Sequence, residues 1–479
     1  MIDLTKARPL AELKLKIEAL WGFSAEKILA MSKRLDASEG APVHTFEGRY
    51  VARAWTDWTH GFQFGSSILQ FDATGDTDFL SIGRDETLRH MPTHVGSFGV
   101  HDHGFNNCST YGNLLRLMTE GRIPENNFER EYYELALKLS AAVQANRWTS
   151  TSDGFGYVYS FNGAHSLFSD TIRTLRVLAI GHLLGYTPRG EHDARISLLE
   201  RLVQHARATT KYNVYFGTGR DGYDVRGRVV HESIFNAVNG VYRCPSTQQG
   251  YSPFSTWTRG LAWVMLGFAE QLEFIELVDE RHLEPFGGRE AVAGVFEDTA
   301  VATCDFYIEN TPTCGVPYWD TGAPGLAQIP DYLDKPADPF NDFEPVDSSA
   351  AAIAAQALLR FGRYLAHKGT RRADADRYAK AGTVALQSML EEPYLSADTT
   401  HEGLLLHSVY HWPRRWDHVP EGARVACNEA TMWGDYHLRE LALYAQRLIN
   451  EEPYLTFFNV RLAEGQVGRA TMVPSETAK

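Results

Sequence analysis

The 479-residue sequence is poor in the features that classify a chain quickly. It has five cysteines, Cys108, Cys244, Cys304, Cys314 and Cys427, scattered and without CxxC spacing. That distribution argues against a disulfide framework or a zinc site and implies a cytoplasmic compartment. Long apolar runs are missing as well: the opening MIDLTKARPLAELKLKIEALW carries charges throughout and reads neither as a signal peptide nor as a membrane span. Positive charge is in deficit, with 46 Lys and Arg against 60 Asp and Glu and a formal net charge of −14. A broad cationic face for nucleic acid or an anionic membrane is therefore excluded, so neither is an expected partner. A small acidic ligand needs only one or two local cations and is not excluded. There is no fixed repeat period, which removes an α-solenoid, and no sustained βαβ alternation. Length alone suggests about three domains, yet no Pro- or Ser-rich linker is long enough to separate them.

What the chain does have is aromatic rings and helical periodicity. It holds 10 Trp, 22 Tyr and 25 Phe, and such rings fill cores or stack on pyranose faces. EREYYELALKLSAAVQANRW (129–148) spaces Tyr132, Leu135, Leu139 and Val143 as one buried stripe. SDTIRTLRVLAIGHLLGY (169–186) does the same through Ile172, Leu175, Leu178 and Leu183, with Ser169 as the expected cap. Similar patterns occupy 255–275, 347–366 and 434–449. The reading is all-α: about twelve helices in one toroid of paired helices, a single domain over 1–479 with peripheral N- and C-terminal segments.

Polar and aromatic motifs stand just ahead of these helices: DWTHGFQFG (57–65), HDHGFNNCSTYG (101–112), QGYSPFSTWTRG (249–260), GVPYWDTGAP (315–324) and MWGDYHLRE (432–440). Loops of that kind at helix starts are expected to gather at one mouth of a helical barrel and make a concave site. Local sequence leaves Asp102 open among a helix cap, half of a metal site and a catalyst. His101, Asp102 and His103 are consecutive, their side chains do not readily converge on one ion, and no HExxH spacing is present. No metal and no cofactor are expected. Asp170, read locally, is a first-turn helix aspartate stabilised by the helix dipole.

Taken together and in order, these motifs resemble glycoside hydrolase family 88, the unsaturated glucuronyl hydrolases. HDHGF is similar to the family's HDLGF, STWTRGLAW to S-x-W-x-R-G-Q-A-W, VPYWD…VDSSAAAIAA to V-P-Y-W-D…D-S-S-A-A-A-I-A, and WGDYHLREL to W-G-D-Y-Y-x-x-E-A. The likeness runs from about Trp58 to about Glu440. It implies an (α/α)6 barrel. It also implies Asp170 as general acid/base, Asp102 as partner carboxylate, His231, Gln249, Arg259 and Trp263 as substrate contacts, and Trp58 as an aromatic facing the sugar. Arg259 would clamp a carboxylate or hydroxyl. The implied partner is an oligosaccharide ending in a 4,5-unsaturated uronic acid; oligomeric state is not implied. The chain departs from the family pattern at Gln63, Pro253-Phe254, Thr171 and Thr174, changes that bear on the neighbouring sugar more than on the reaction. His103 stands where the family is usually apolar. Arg173, one turn from Asp170, is expected to point elsewhere, because a direct pair would hold a proton donor ionised. Family 105, the unsaturated rhamnogalacturonyl hydrolases, is the nearest competitor. A sugar isomerase or epimerase on a helical toroid is the alternative from another class, and it would favour histidine pairs over Asp102 and Asp170.

Overall fold

The computed structural model describes residues 1–460, apart from 37, 39 and 53–56. Residues 461–479, part of the single-domain expectation, lie outside the described residues.

Helices alternate along the chain between an outer and an inner ring. The outer ring is Lys14–Arg34, Thr77–His90, Asn127–Asn146, Leu198–Tyr212, Gly288–Glu309 and Arg372–Met389. The inner ring is His60–Thr74, the composite His103–Asn107, Cys108–Gly112 and Asn113–Thr119, then Thr171–Thr174 continued by Arg176–Leu183, Thr258–Leu277, Ser348–Lys368 and Met432–Ile449. Each inner helix packs on the next, and the last returns to His60–Thr74, closing the (α/α)6 barrel.

Burial separates the two rings. In the outer helix Lys14–Arg34 only a stripe is buried, from Ile17 through Leu20, Trp21 and Ser24 to Ile28 and Met31, the pattern of a helix with one wet face. The inner helix Thr258–Leu277 is buried at every position from Thr258 to Ile275. A helix enclosed by neighbours on all sides shows no such stripe, so periodicity is a weaker guide to the inner ring.

Two expectations need correction. In Asn127–Asn146 the buried face is Tyr133, Ala136, Leu137, Ser140, Ala141, Gln144 and Ala145, while Leu135 and Leu139 are exposed. Small residues face inward because the two rings approach closely there: a side chain on Gly181 of the inner helix would meet the Ala141 Cβ at 2.9 Å. Ser169, expected as a cap, is not one. Its Oγ is buried without a hydrogen-bond partner among the described residues, and its backbone N–H is spent on the His231 carbonyl at 2.8 Å. The N-cap position falls to Asp170.

Among the described residues, three small antiparallel sheets decorate the loops. The one that matters for the site joins Ser166–Phe168, Glu232–Phe235 and Tyr242–Ser246, placing Phe168 and His231 beside the start of the Thr171 helix. No helix among the described residues is long and apolar enough to cross a membrane.

Candidate active site

A cavity of about 270 Å³ opens at one mouth of the barrel. Most of its lining comes from segments that precede inner helices: Trp58, Gly99 to Asp102, Phe168 and Asp170, Gln248, Gln249 and Trp257, and Tyr410, His411, Arg414 and Trp416; Phe105, Arg259 and Trp263 come from the helices themselves. Of the five loop motifs expected to gather there, those at 57–65, 101–112 and 249–260 contribute lining residues, while 315–324 and 432–440 do not.

Asp102 and Asp170 both occupy N-cap positions, and neither carboxylate makes a capping hydrogen bond. Elsewhere in the barrel such positions are used conventionally: the Asp347 side chain accepts from Ser349 N and Ala350 N, and Thr431 accepts from Gly434 N. The two cavity aspartates are therefore withheld from the helix starts they mark. Gly104 allows the two starts to meet, since a Cβ there would lie 1.9 Å from the Thr174 carbonyl oxygen. Arg176 also donates to the Gly104 carbonyl at 3.3 Å.

His101 links the pair. Its Nε2 is 3.3 Å from Asp170 Oδ1 and 3.9 Å from Asp102 Oδ1, inside a socket formed by the Phe161 and Phe168 rings. Burial lowers the imidazole's proton affinity, but Asp102 and Asp170 more than offset that, and its pKa lies above the ordinary histidine value. Burial and the Asp170 charge raise the pKa of Asp102 against the pull of His101. Asp170 is pushed up by burial but pulled further down by the His101 hydrogen bond and charge, so its net shift is downward. At rest the proton of this trio is drawn toward His101 and Asp102 rather than Asp170.

Arg259 is buried, with its guanidinium between the Trp257 and Trp433 rings at 4.6 and 4.9 Å. Nη1 donates to Asp347 Oδ2 at 2.9 Å and to the Val409 carbonyl; Nη2 donates to Gln249 Oε1 at 2.8 Å and to the Tyr410 carbonyl at 2.7 Å. The clamp expected at this position is thus already closed on the protein's own groups. It orients Gln249 by the oxygen and leaves that amide's NH2 uncommitted to Arg259.

His231, expected as a substrate contact, is not among the lining residues. Its Nδ1 accepts from Gln248 N at 3.0 Å and Gln249 N at 3.3 Å, and its ring packs on Phe168 and Trp257. Burial pushes its pKa down, so it is a neutral prop under the Gln248-Gln249 turn. Trp58 and Trp263 both line the cavity; Trp58 stacks on Trp433 at 5.0 Å, and Trp263 packs against Phe105 at 4.7 Å.

His103 and Arg173 are accounted for. His103 joins Ser140 Oγ and the Ser97 carbonyl, each at 2.8 Å, and burial lowers its pKa to about 4, so it is a neutral tie between helix and loop. Arg173 turns away from Asp170 into the barrel axis, to Glu270 at 3.1 Å and Glu440 at 3.0 Å.

Sequence reasoning missed the wall formed by Tyr410, His411, Arg414 and Trp416. Asp417 folds this segment back by accepting the Tyr410 and His411 backbone N–H groups. The signal was the run VYHWPRRW, dense in rings and cations though outside any quoted motif. His101 lay inside one, but was weighed only as a metal ligand.

No family model matches the chain. An unsaturated glucuronyl hydrolase of Formosa agariphila is 26% identical over 396 residues, spanning 82% of this chain and 81% of that protein. An unsaturated chondroitin disaccharide hydrolase of Streptococcus agalactiae is 23% identical, covering 83% of each. Among solved structures, the unsaturated glucuronyl hydrolase of Bacillus sp. GL1, described as responsible for the degradation of glycosaminoglycan, superposes with a TM-score of 0.66. It is 21% identical, over 91% of this chain and 97% of that one. An aspartate-to-asparagine variant of the Streptococcus agalactiae unsaturated glucuronyl hydrolase, complexed with dGlcA-GalNAc6S, gives 0.62 at 18% identity, over 95% and 98%. Fold and site thus define a helical-barrel glycoside hydrolase. Within that class the chain is a homologue of the unsaturated glucuronyl hydrolases, consistent with glycoside hydrolase family 88.

Proposed function

We infer that the chain removes a terminal 4,5-unsaturated uronic acid from lyase-generated oligosaccharides by adding water across the C4=C5 bond. The observation that carries this reading is the pair of N-cap aspartates, Asp102 and Asp170, left uncapped in a cavity walled by aromatic rings.

An unsaturated uronate end is an enol ether. Asp170, as general acid, gives its proton to C4; the π electrons form the new C–H bond, and positive charge develops at C5 and the ring oxygen. Water then bonds to C5 and returns a proton to the Asp170 carboxylate. The hemiketal opens by breaking the bond between C5 and the ring oxygen, leaving a ketone, and the hemiacetal at C1 expels the next sugar. Asp102 contributes negative charge beside C5 and, as a close second carboxylate, raises the proton affinity of the site. No metal or cofactor is part of this route. Trp58 and Trp263 offer ring faces to the sugar, and Gln249 offers its amide NH2. Arg414, packed over Trp416 at 5.5 Å and without a carboxylate partner among the described residues, is the cation placed to meet an acidic sugar. A cytoplasmic location, read from the scattered cysteines, belongs to the same proposal.

The test is loss of the ultraviolet absorbance of the conjugated double bond during incubation with a panel of unsaturated di- and trisaccharides. Turnover of glucuronyl-terminated members above rhamnogalacturonyl ones supports the assignment over the family 105 activity. Unchanged absorbance across the panel would refute it and favour an isomerase or epimerase.

A further inference from the structure

A carboxyl that must deliver a proton sits here beside a histidine that draws the proton away. We propose that His101 is a proton-holding residue acting through Asp170: its imidazole keeps at rest the proton that Asp170 passes to the substrate, and recovers it after each turnover. The proposal rests on the hydrolase reading above.

Among the described residues the imidazole has no other occupation. His101 is 1% exposed, and its Nε2 meets the two aspartates there, at 3.3 and 3.9 Å. Its Nδ1 is buried with no hydrogen-bond partner among the described residues. Phe161 stacks on the ring at 6.0 Å, and Phe168 meets it edge-on at 5.5 Å. Two carboxylates in a socket this dry cannot both ionise cheaply unless a cation lies between them, and the protonated imidazole is that cation. The other titratable groups that act on it are few. Arg147, a further cation that acts on it, is committed to the Phe98, Tyr159 and Ser160 carbonyls. His103, His205 and His231 are held neutral by burial, with His205 Nδ1 accepting from Val158 N at 3.0 Å.

The cycle balances. Entry of an anionic sugar adds negative charge and expels water, which raises the proton affinity of Asp170. The Nε2–H bond of His101 breaks as the Oδ1–H bond of Asp170 forms; Asp170 then protonates C4, accepts a proton from the attacking water and returns it to Nε2. No proton is gained or lost by the trio.

His101→Gln tests this, because the amide can donate to Asp170 but holds no titratable proton. The kcat–pH profile of the wild type should fall on the alkaline side as His101 loses its proton. In His101→Gln that limb should move to lower pH by about one unit or more, lowering kcat about tenfold at alkaline pH, with KM nearly unchanged. A merely structural role would lower kcat evenly at all pH values, and an unmoved limb would overturn the proposal. Imidazole NMR of the ligand-free chain gives a readout without turnover and without the His101 variant. The His101 ring, assigned through its contacts with Phe161 and Phe168, should remain protonated above pH 6.5 in the wild type and lose its proton at lower pH in Asp170→Asn. A ring already neutral below pH 6.5 in the wild type would overturn the proposal. A wild-type chain inert toward every unsaturated glycan would sink the hydrolase reading instead, and the NMR titration would still decide whether His101 holds the proton.

Discussion

Asp102 and Asp170 each stand one residue ahead of a helix and leave its N–H groups uncapped, so their carboxylates are free for another use. If Asp170 is the proton donor, Asp170→Asn keeps the shape and removes the proton, and kcat should fall by a factor of about 10² or more with KM little changed. Steady-state kinetics on an unsaturated disaccharide checks this; near wild-type kcat would end the assignment. Arg259 leads to a different expectation. Its guanidinium already serves Asp347, Gln249 and two carbonyls, so Arg259→Ala leaves Asp347 as a buried lone charge and should cost about 3–5 kcal/mol of stability. Any rise in KM should be the same for the free acid and its methyl ester if the guanidinium, engaged by these groups, acts on the substrate through Gln249. Denaturant unfolding and a comparison of the two substrates measure both effects; a loss confined to the free acid would restore the clamp.

At the scale of elements, the sequence showed where helices begin better than which face they bury. The reason for the glycine in HDHGF emerges only in the fold: two inner helices approach there, and Gly104 tolerates the Thr174 carbonyl where no side chain fits. Gly104→Ala should overpack that junction, destabilise the fold by about 1–3 kcal/mol and lower kcat by separating Asp102 from Asp170. Unfolding curves and kinetics on one preparation would show both, and unchanged kcat would mean the junction does not set the carboxylates. Periodicity misplaced the Asn127–Asn146 face because four of its inward residues, Ala136, Ser140, Ala141 and Ala145, are small and suit close approach, beside Tyr133, Leu137 and Gln144, while Leu135 and Leu139 face water. The prop beneath Gln248 and Gln249 was invisible for another reason. His231 acts through backbone N–H groups, and a contact to backbone leaves no pattern in side-chain spacing.

At the scale of the whole molecule, the barrel brings into one cavity side chains as far apart in sequence as Trp58 and Trp416, which is why the ring- and cation-rich run VYHWPRRW, though visible in the sequence, could not be tied to the site by local pattern alone. If this cavity hydrates an enol ether, it leaves the anomeric carbon unattacked. The direct measurement is turnover of an unsaturated disaccharide in heavy water, with the product examined by NMR, beside a saturated β-glucuronide as control. Deuterium should appear at C4 of the product, and the saturated sugar should stay inert. Cleavage of the saturated glucuronide at a comparable rate, with C4 unlabelled in the unsaturated reaction, would contradict hydration.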